Sequence, residues 1–257
     1  MSDGTPTLPG PSGGLATLLS GGFGGRYNLD ALNDFLFKRD EDCFVGDTLR
    51  TLYPAAKTNG TGAAVTFTAG NDQGWLDLVT GTDNDGYAGQ AMSDVMHTGD
   101  RGLLAEFLIE TPASLASYKL EVGVADSVTA AGMVNSKSAA TATGTDFAVL
   151  CFDTAHNSAL DLIHAKAGTV ARVTGDLTLA VSSLYYVSCR IVGDDVMFEI
   201  QGLAGTPHAK VTYANATAAA GIEGGTDITP WVFTQTRAGS ADKTTKLMKW
   251  RSVWPAY

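Results

Sequence analysis

Charge is scarce in this chain. Asp, Glu, Lys and Arg make up 17% of its 257 residues, against about a quarter in ordinary domains. Ala, Gly, Ser and Thr fill the gap, and such a surface suits a protein partly buried in an assembly. Basic residues are the scarcer sign, 17 against 27 acidic, for a net charge of −10. They are scattered singly or in pairs. With no Lys/Arg cluster to neutralise a row of phosphates, nucleic acid is a poor partner, and so is an acidic membrane surface. Cysteine is rare and odd in number: Cys43, Cys151 and Cys189. They are widely spaced with no C-x-x-C, which argues against a disulfide framework or a zinc site. Cys151 and Cys189 sit inside apolar strand patterns, where a thiol is a small core residue. No apolar run approaches the ~18 residues of a membrane span. No basic stretch leads into an apolar run at the N-terminus, so no secretion signal is expected, and synthesis in a reducing cytoplasm is.

Helical periodicity is also nearly absent. One stretch carries it: residues 29–38, where Leu29, Leu32, Phe35 and Leu36 form one apolar stripe behind a capping Asn28. Arg39 to Asp42 reads as a short charged turn. Ahead of the stripe, residues 1–28 are rich in Gly and Pro, broken by apolar groups at Leu15, Leu18, Leu19, Phe23 and Tyr27. Such a segment cannot build a core of its own. Such an arm would lie on its own domain or, as the spaced apolar anchors favour, lace the subunit to its neighbour, and on that favoured reading these five residues are the partner-binding set.

From residue 62 onward the pattern is strand after strand. Runs at 63–69, 75–80, 103–110, 118–126, 146–153, 159–168, 170–181, 208–214, 231–237 and 246–254 alternate in polarity or are apolar throughout. Residues 127–145, rich in Ala, Ser, Thr and Gly, read as a long loop. Residues 146–153 (DFAVLCFD) are apolar on both faces, which fits a central strand covered on both sides. The sharpest element is the stretch 184–202, LYYVSCRIVGDDVMFEIQG. A two-residue turn at Gly193-Asp194 sets Ile191 opposite Val196, Cys189 opposite Phe198 and Val187 opposite Ile200, all on one face. Arg190–Met197, Ser188–Glu199 and Tyr186–Gln201 then share the other face. A three-residue loop would set apolar against polar. With about a dozen strands and no helices between them, the expected class is an all-β two-sheet sandwich.

The order of these strands, with Tyr185, Tyr186, Gly193, Asp194, Phe198, Ile200 and Gly202 in the hairpin, resembles the concanavalin A-like, laminin-G-like jelly roll over residues 62–257. Together with the Gly/Pro arm and the low charge, it looks like a bacteriophage virion protein, a family setting in which such domains serve as capsid decorations, head fibres and tail appendages. The resemblance implies two units: an assembly arm with a short helix at 1–60 and a jelly-roll sandwich at 61–257.

Chemistry is harder to find. Glycoside hydrolases of this fold carry E-x-D-x-E-type carboxylates on one strand face. The nearest match is Glu106 and Glu110, with Leu108 where the middle acid belongs, and Glu121 has no second acid on its strand. The plain reading puts Glu106 and Glu110 on a solvent- or subunit-facing side. His97, His156, His164 and His208 lack metal-ligand spacing; three are expected in loops and His164 at a strand end. No G-x-S-x-G elbow occurs. The Thr82–Gly86 run TDNDG has oxygens for calcium but lacks the downstream Glu, and is equally ordinary turn chemistry. Trp75, Trp231, Trp250 and Trp254 have the chemistry to stack sugars. Trp250 reads as core and Trp231 and Trp254, near strand ends, as the ones open to exposure.

The sequence thus predicts a non-enzymatic virion structural protein, a capsid decoration or head appendage held through its N-terminal arm. No cofactor or metal is expected. Partners would be the major capsid protein or sister subunits, with a homo-oligomer, a trimer for instance, expected. The alternative is a module of a tail or head fibre that recognises a host glycan.

Overall fold

The computed structural model describes residues 37–42, 55–69, 74–92, 97–98, 102–126, 132–192, 195–203, 210–214, 222 and 226–255. In chain order the strands are β1 (Phe37–Asp42), β2 (Lys57–Asn59), β3 (Ala64–Thr68), β4 (Trp75–Val79), β5 (Tyr87–Ala91) and β6 (His97–Thr98). Then come β7 (Leu103–Glu110), β8 (Tyr118–Ala125), β9 (Val134–Ser136), β10 (Thr141–Ala142), β11 (Phe147–Asp153) and β12 (Asn157–Lys166). The last six are β13 (Thr169–Val173), β14 (Leu184–Val192), β15 (Asp195–Gly202), β16 (Val211–Ala214), β17 (Asp227–Thr236) and β18 (Thr244–Pro255). No helix occurs among the described residues.

They form two antiparallel sheets. The first runs β16-β15-β14-β7-β18-β4-β3, with β1 beside the far end of β18. The second runs β13-β12-β11-β8-β17-β5-β2, with β6 added to β17. Alternation explains the core between them. Leu103, Ala105, Phe107 and Ile109 of β7 point inward to meet Tyr118, Leu120, Val122 and Val124 of β8 and Ala148, Leu150 and Phe152 of β11. Each Leu, Val, Ile or Phe among them, once fully buried, contributes about 1.5–3 kcal/mol.

The hairpin of β14 and β15 has the register its polarity dictates: Ile191 faces Val196, Cys189 faces Phe198 and Val187 faces Ile200. Cys189 is a buried free thiol in this core, as expected for a small apolar group. One deviation from strict alternation matters. A register shift between Leu247 and Lys249 in β18 turns Leu247 and Trp250, three residues apart, to the same core. Met248, whose parity matches Trp250 in the sequence, is left half-buried.

Several expectations need correction. Residues 29–36 of the expected helix lie outside the described residues, but Phe37 and Lys38 open β1, and Arg39 to Asp42 continue that strand rather than turning. A strand reading FKRDED is tolerated because it borders only β18 among the described residues, and charge on such an edge discourages pairing with other chains. The run 170–181 stays in the ladder only to Val173. Beyond it, Gly175 N–H donates to Asp161 Oδ1 at 2.9 Å, while Leu177 and Leu179 still turn into the core. The described part of the long loop, residues 132–145, is a strap with its own two-strand hairpin, β9 and β10.

Candidate functional site

The two outward faces of the sandwich hold the side chains with chemistry. On the first sheet, β7 turns Leu104, Glu106, Leu108 and Glu110 outward. Glu106 stands opposite Ser188 of β14 and Arg251 of β18. The Tyr186 hydroxyl donates to Glu106 Oε1, and the Arg251 guanidinium donates to Oε2. Glu106 is thereby only 1% exposed, so the plain reading of a solvent-facing carboxylate is corrected: it is buried beneath its own partners. Burial, then the charge of Glu106, drives the Tyr186 hydroxyl far above its ordinary value, the reverse of what an activated phenolate needs. Glu110 sits at the rim, half-exposed, with Lys246 Nζ 2.9 Å away. That ammonium also lies 5.3 Å from the centre of the Trp75 ring, whose Nε1 donates to Asp77.

The outer face of the second sheet is covered by the strap. Met133, Val134 and Ala142 pack on Ala91, Ala125, Phe147, Val149, Cys151, Ile163, Ala165, Trp231 and Phe233, a second apolar cluster separate from the main core. Gly132 lies so close to the sheet that a Cβ there would stand 2.9 Å from both Glu121 Oε1 and a carbon of the Phe233 ring. Charges are sealed into this layer. Lys119 Nζ is 2.6 Å from Glu121 Oε1, and their side chains are 1% and 0% exposed. Glu121 also accepts the N–H groups of Met133 at 2.7 Å and Val134 at 2.9 Å. Lys137 of the strap reaches Asn157 Oδ1 at 2.6 Å, the carbonyl of Ala159 and the Asp161 carboxylate at 3.5 Å. Arg172 Nε donates to the same carboxylate at 2.8 Å, and Arg237 pairs with Asp153. Burial lowers Lys137 from its ordinary value, with Asp161 opposing. Cys151, in the middle, is pushed up to about 12 by burial. This thiol is a packed group and not a nucleophile.

Both glutamates singled out on β7, Glu106 and Glu110, are paired with a cation of the same sheet. Glu106, Glu121, Asp153 and Asp161 are each held by a Lys or Arg of the same chain. Among the described residues no three of His, Cys, Asp and Glu come together at metal-binding range. The TDNDG run is a turn: Asp83 Oδ2 accepts from Thr61 N–H at 2.8 Å, Gly86 N–H returns to the Asp83 carbonyl, and Asp85 takes a φ of 60°. His156 is in the exposed turn after β11, whereas His164, expected at a strand end, is buried within β12 at 1% exposure. Trp231 is not exposed either. It is wholly buried, stacked on Phe233 with ring centres 6.0 Å apart. Trp250 is core, and Trp254 and Trp75 are half-buried. Leu15, Leu18, Leu19, Phe23 and Tyr27 lie outside the described residues, as do Cys43 and His208.

The buried ion pairs were missed because charged strand residues read as solvent-facing. The signal was present in 146–153: a strand apolar on both faces requires a cover on both faces. Lys119, Glu121 and Asp161, on the flanking strands, lie under the same cover.

No protein-family model and no curated protein matches the chain. Solved structures do match it. A protein of unknown function from Shewanella oneidensis MR-1 superposes with a TM-score of 0.60 at 14% identity, covering 98% of this chain and 97% of that one. Peanut lectin gives 0.56 at 12% identity, over 86% of this chain and 99% of the lectin. The CBM2 module of an evolved Dit from Lactobacillus casei BL23 phage J-1 gives 0.53 at 11% identity, over 86% and 97%. The fold is therefore the lectin-like jelly roll that the strand order resembles.

Proposed function

We propose that this chain is a non-catalytic surface module of a bacteriophage particle: a lectin-like sandwich displayed on the particle and attached through its N-terminal segment. The pairing of its buried carboxylates carries the non-catalytic part. Glycoside hydrolases share this fold, but a retaining pair needs two carboxyl groups about 5–5.5 Å apart, open to substrate. Here Glu106 and Glu121 are on opposite outer faces, each sealed with its own cation. The particle setting is supported by the likeness to the phage J-1 module, by the sparse charge and by the Gly/Pro segment with its spaced apolar residues. The test is the full chain carrying Leu18→Ser, Leu19→Ser and Phe23→Ser, mixed with particles lacking it. The expected result is an unchanged melting temperature and lost attachment. Attachment at the wild-type level overturns the arm.

A second reading is recognition of a host glycan, favoured by the lectin and CBM2 likenesses. With Trp231 wholly buried, the indoles left to stack a sugar are Trp254 and Trp75. Glycan-array binding lost in Trp254→Ala or Trp75→Ala supports this reading, and an array with no binding removes it.

A further inference from the structure

We propose that Lys137 of the strap and Asn157 at the start of β12 join in a self-catalysed isopeptide bond, with Asp161 carrying the protons and ammonia as the leaving group. The three groups that such a bond needs meet in one place. Lys137 supplies the amine: its side chain is 0% exposed, and its Nζ stands 2.6 Å from Asn157 Oδ1. With a C=O bond of ~1.23 Å, that contact puts Nζ within about 3.8 Å of the amide carbon, close to near-attack range. Burial favours the neutral, nucleophilic amine and lowers Lys137 from its ordinary value. Asn157 supplies the acyl group. Its Oδ1 also accepts the Ala159 N–H at 3.1 Å, a donor aimed where negative charge gathers as the amine adds. The Ala159 carbonyl accepts from Nζ and holds the amine beside the amide. Asp161 supplies the proton carrier, with Oδ2 3.5 Å from Nζ and its side chain 1% exposed. Lys119, the other lysine buried under the strap, meets a carboxylate rather than an amide.

The step balances without an oxidant or a co-reactant. Lys137 Nζ passes a proton to Asp161 Oδ2. Its freed lone pair forms a bond to Asn157 Cγ while the carbonyl π pair moves onto Oδ1. Asp161 hands that proton to Nδ2. The pair on Oδ1 returns, the Cγ–Nδ2 bond breaks, and ammonia leaves with the bonding pair. The ammonia takes up the second proton that Nζ sheds, again by way of Asp161. An ammonium and a carboxamide have become a secondary amide and a free ammonium ion. Asn157 is half-buried, which leaves the ammonia a way out. Once Lys137 is neutral, Arg172 Nε at 2.8 Å still pairs with Asp161, so no buried carboxylate is left alone. The bond closes a ring around β10 and β11 and pins the strap to β12.

Intact-mass spectrometry of the purified full chain in denaturant, followed by peptide mapping, tests the bond. The chain should be lighter than its sequence by one ammonia, and a branched peptide should link Lys137 to Asn157. This readout depends on no variant folding. Lys137→Arg, which keeps the charge but cannot form this amide, and Asp161→Asn, which cannot carry the proton, should each keep their full sequence mass. A wild-type chain at full sequence mass, ammonia lost without a branched peptide (as from a succinimide at Asn59-Gly60), or a branched peptide formed as fully in Asp161→Asn each overturns the proposal.

Discussion

The hydroxyl of Tyr186 on β14 donates to the carboxylate of Glu106 on β7, 80 residues earlier in the chain. Arg251 of β18 grips the same carboxylate from the opposite side. Three adjacent strands of the first sheet are thus tied through one buried carboxylate.

Glu106→Ala should therefore act on stability and not on turnover. Removing one member of a buried pair costs about 3–5 kcal/mol, and Tyr186→Phe, which removes one donor, about 1–3 kcal/mol. Urea unfolding measures both. A polysaccharide panel should show no turnover for wild type, and hydrolysis that Glu106→Gln abolishes would make Glu106 catalytic.

Gly132→Ala should loosen the strap. The backbone there has φ of +78°, and the added carbon would meet the Glu121 carboxylate and the Phe233 ring at about 2.9–3.0 Å. A side chain forced into that region costs more than about 1 kcal/mol. The expected readout is faster exchange of the Met133 and Val134 amides with the β14 amides unaffected.

Alkaline pH should destabilise the sandwich through Tyr118. Burial raises its hydroxyl from 10.0 to about 12. A raised value means the folded state holds its proton longer than the unfolded chain does. The contribution is complete below pH 10 and is lost as pH rises from 10 to 12, to a total of about 3 kcal/mol. Cys151, raised from 9.0 to about 12, adds a loss of the same sign that begins near pH 9. Unfolding free energies at pH 8, 10 and 12 should fall steadily. Tyr118→Phe, less stable at pH 8 for want of the bond to Thr245, should flatten the last step, and an unaltered slope there would contradict the assignment.

Polarity made some of this molecule legible and left the rest obscure for physical reasons. The β14–β15 register could be read because a one-residue slip would turn Val187, Cys189 and Ile191 out of the core. The strand β5, YAGQA, could not, since its one apolar side chain larger than Ala is Tyr87 at its start. Its shape is set from outside, by the Trp231 and Phe233 rings lying on Gly89. β1 was hidden by charge that an edge tolerates. The strap was hidden by a composition of small polar residues typical of loops. Its anchoring comes from partners 12 to 24 residues away, Glu121 and Asp161, which no local pattern connects to it.

The central claim, that this sandwich is a particle-borne module attached through its N-terminal segment, is tested most directly by imaging purified particles. Low-resolution density of particles with the chain, minus density of particles without it, should leave one surface-displayed feature per attachment point, each sized for the 26.7 kDa chain or a multiple of it. Particles whose density and protein content are the same with and without the gene would contradict it.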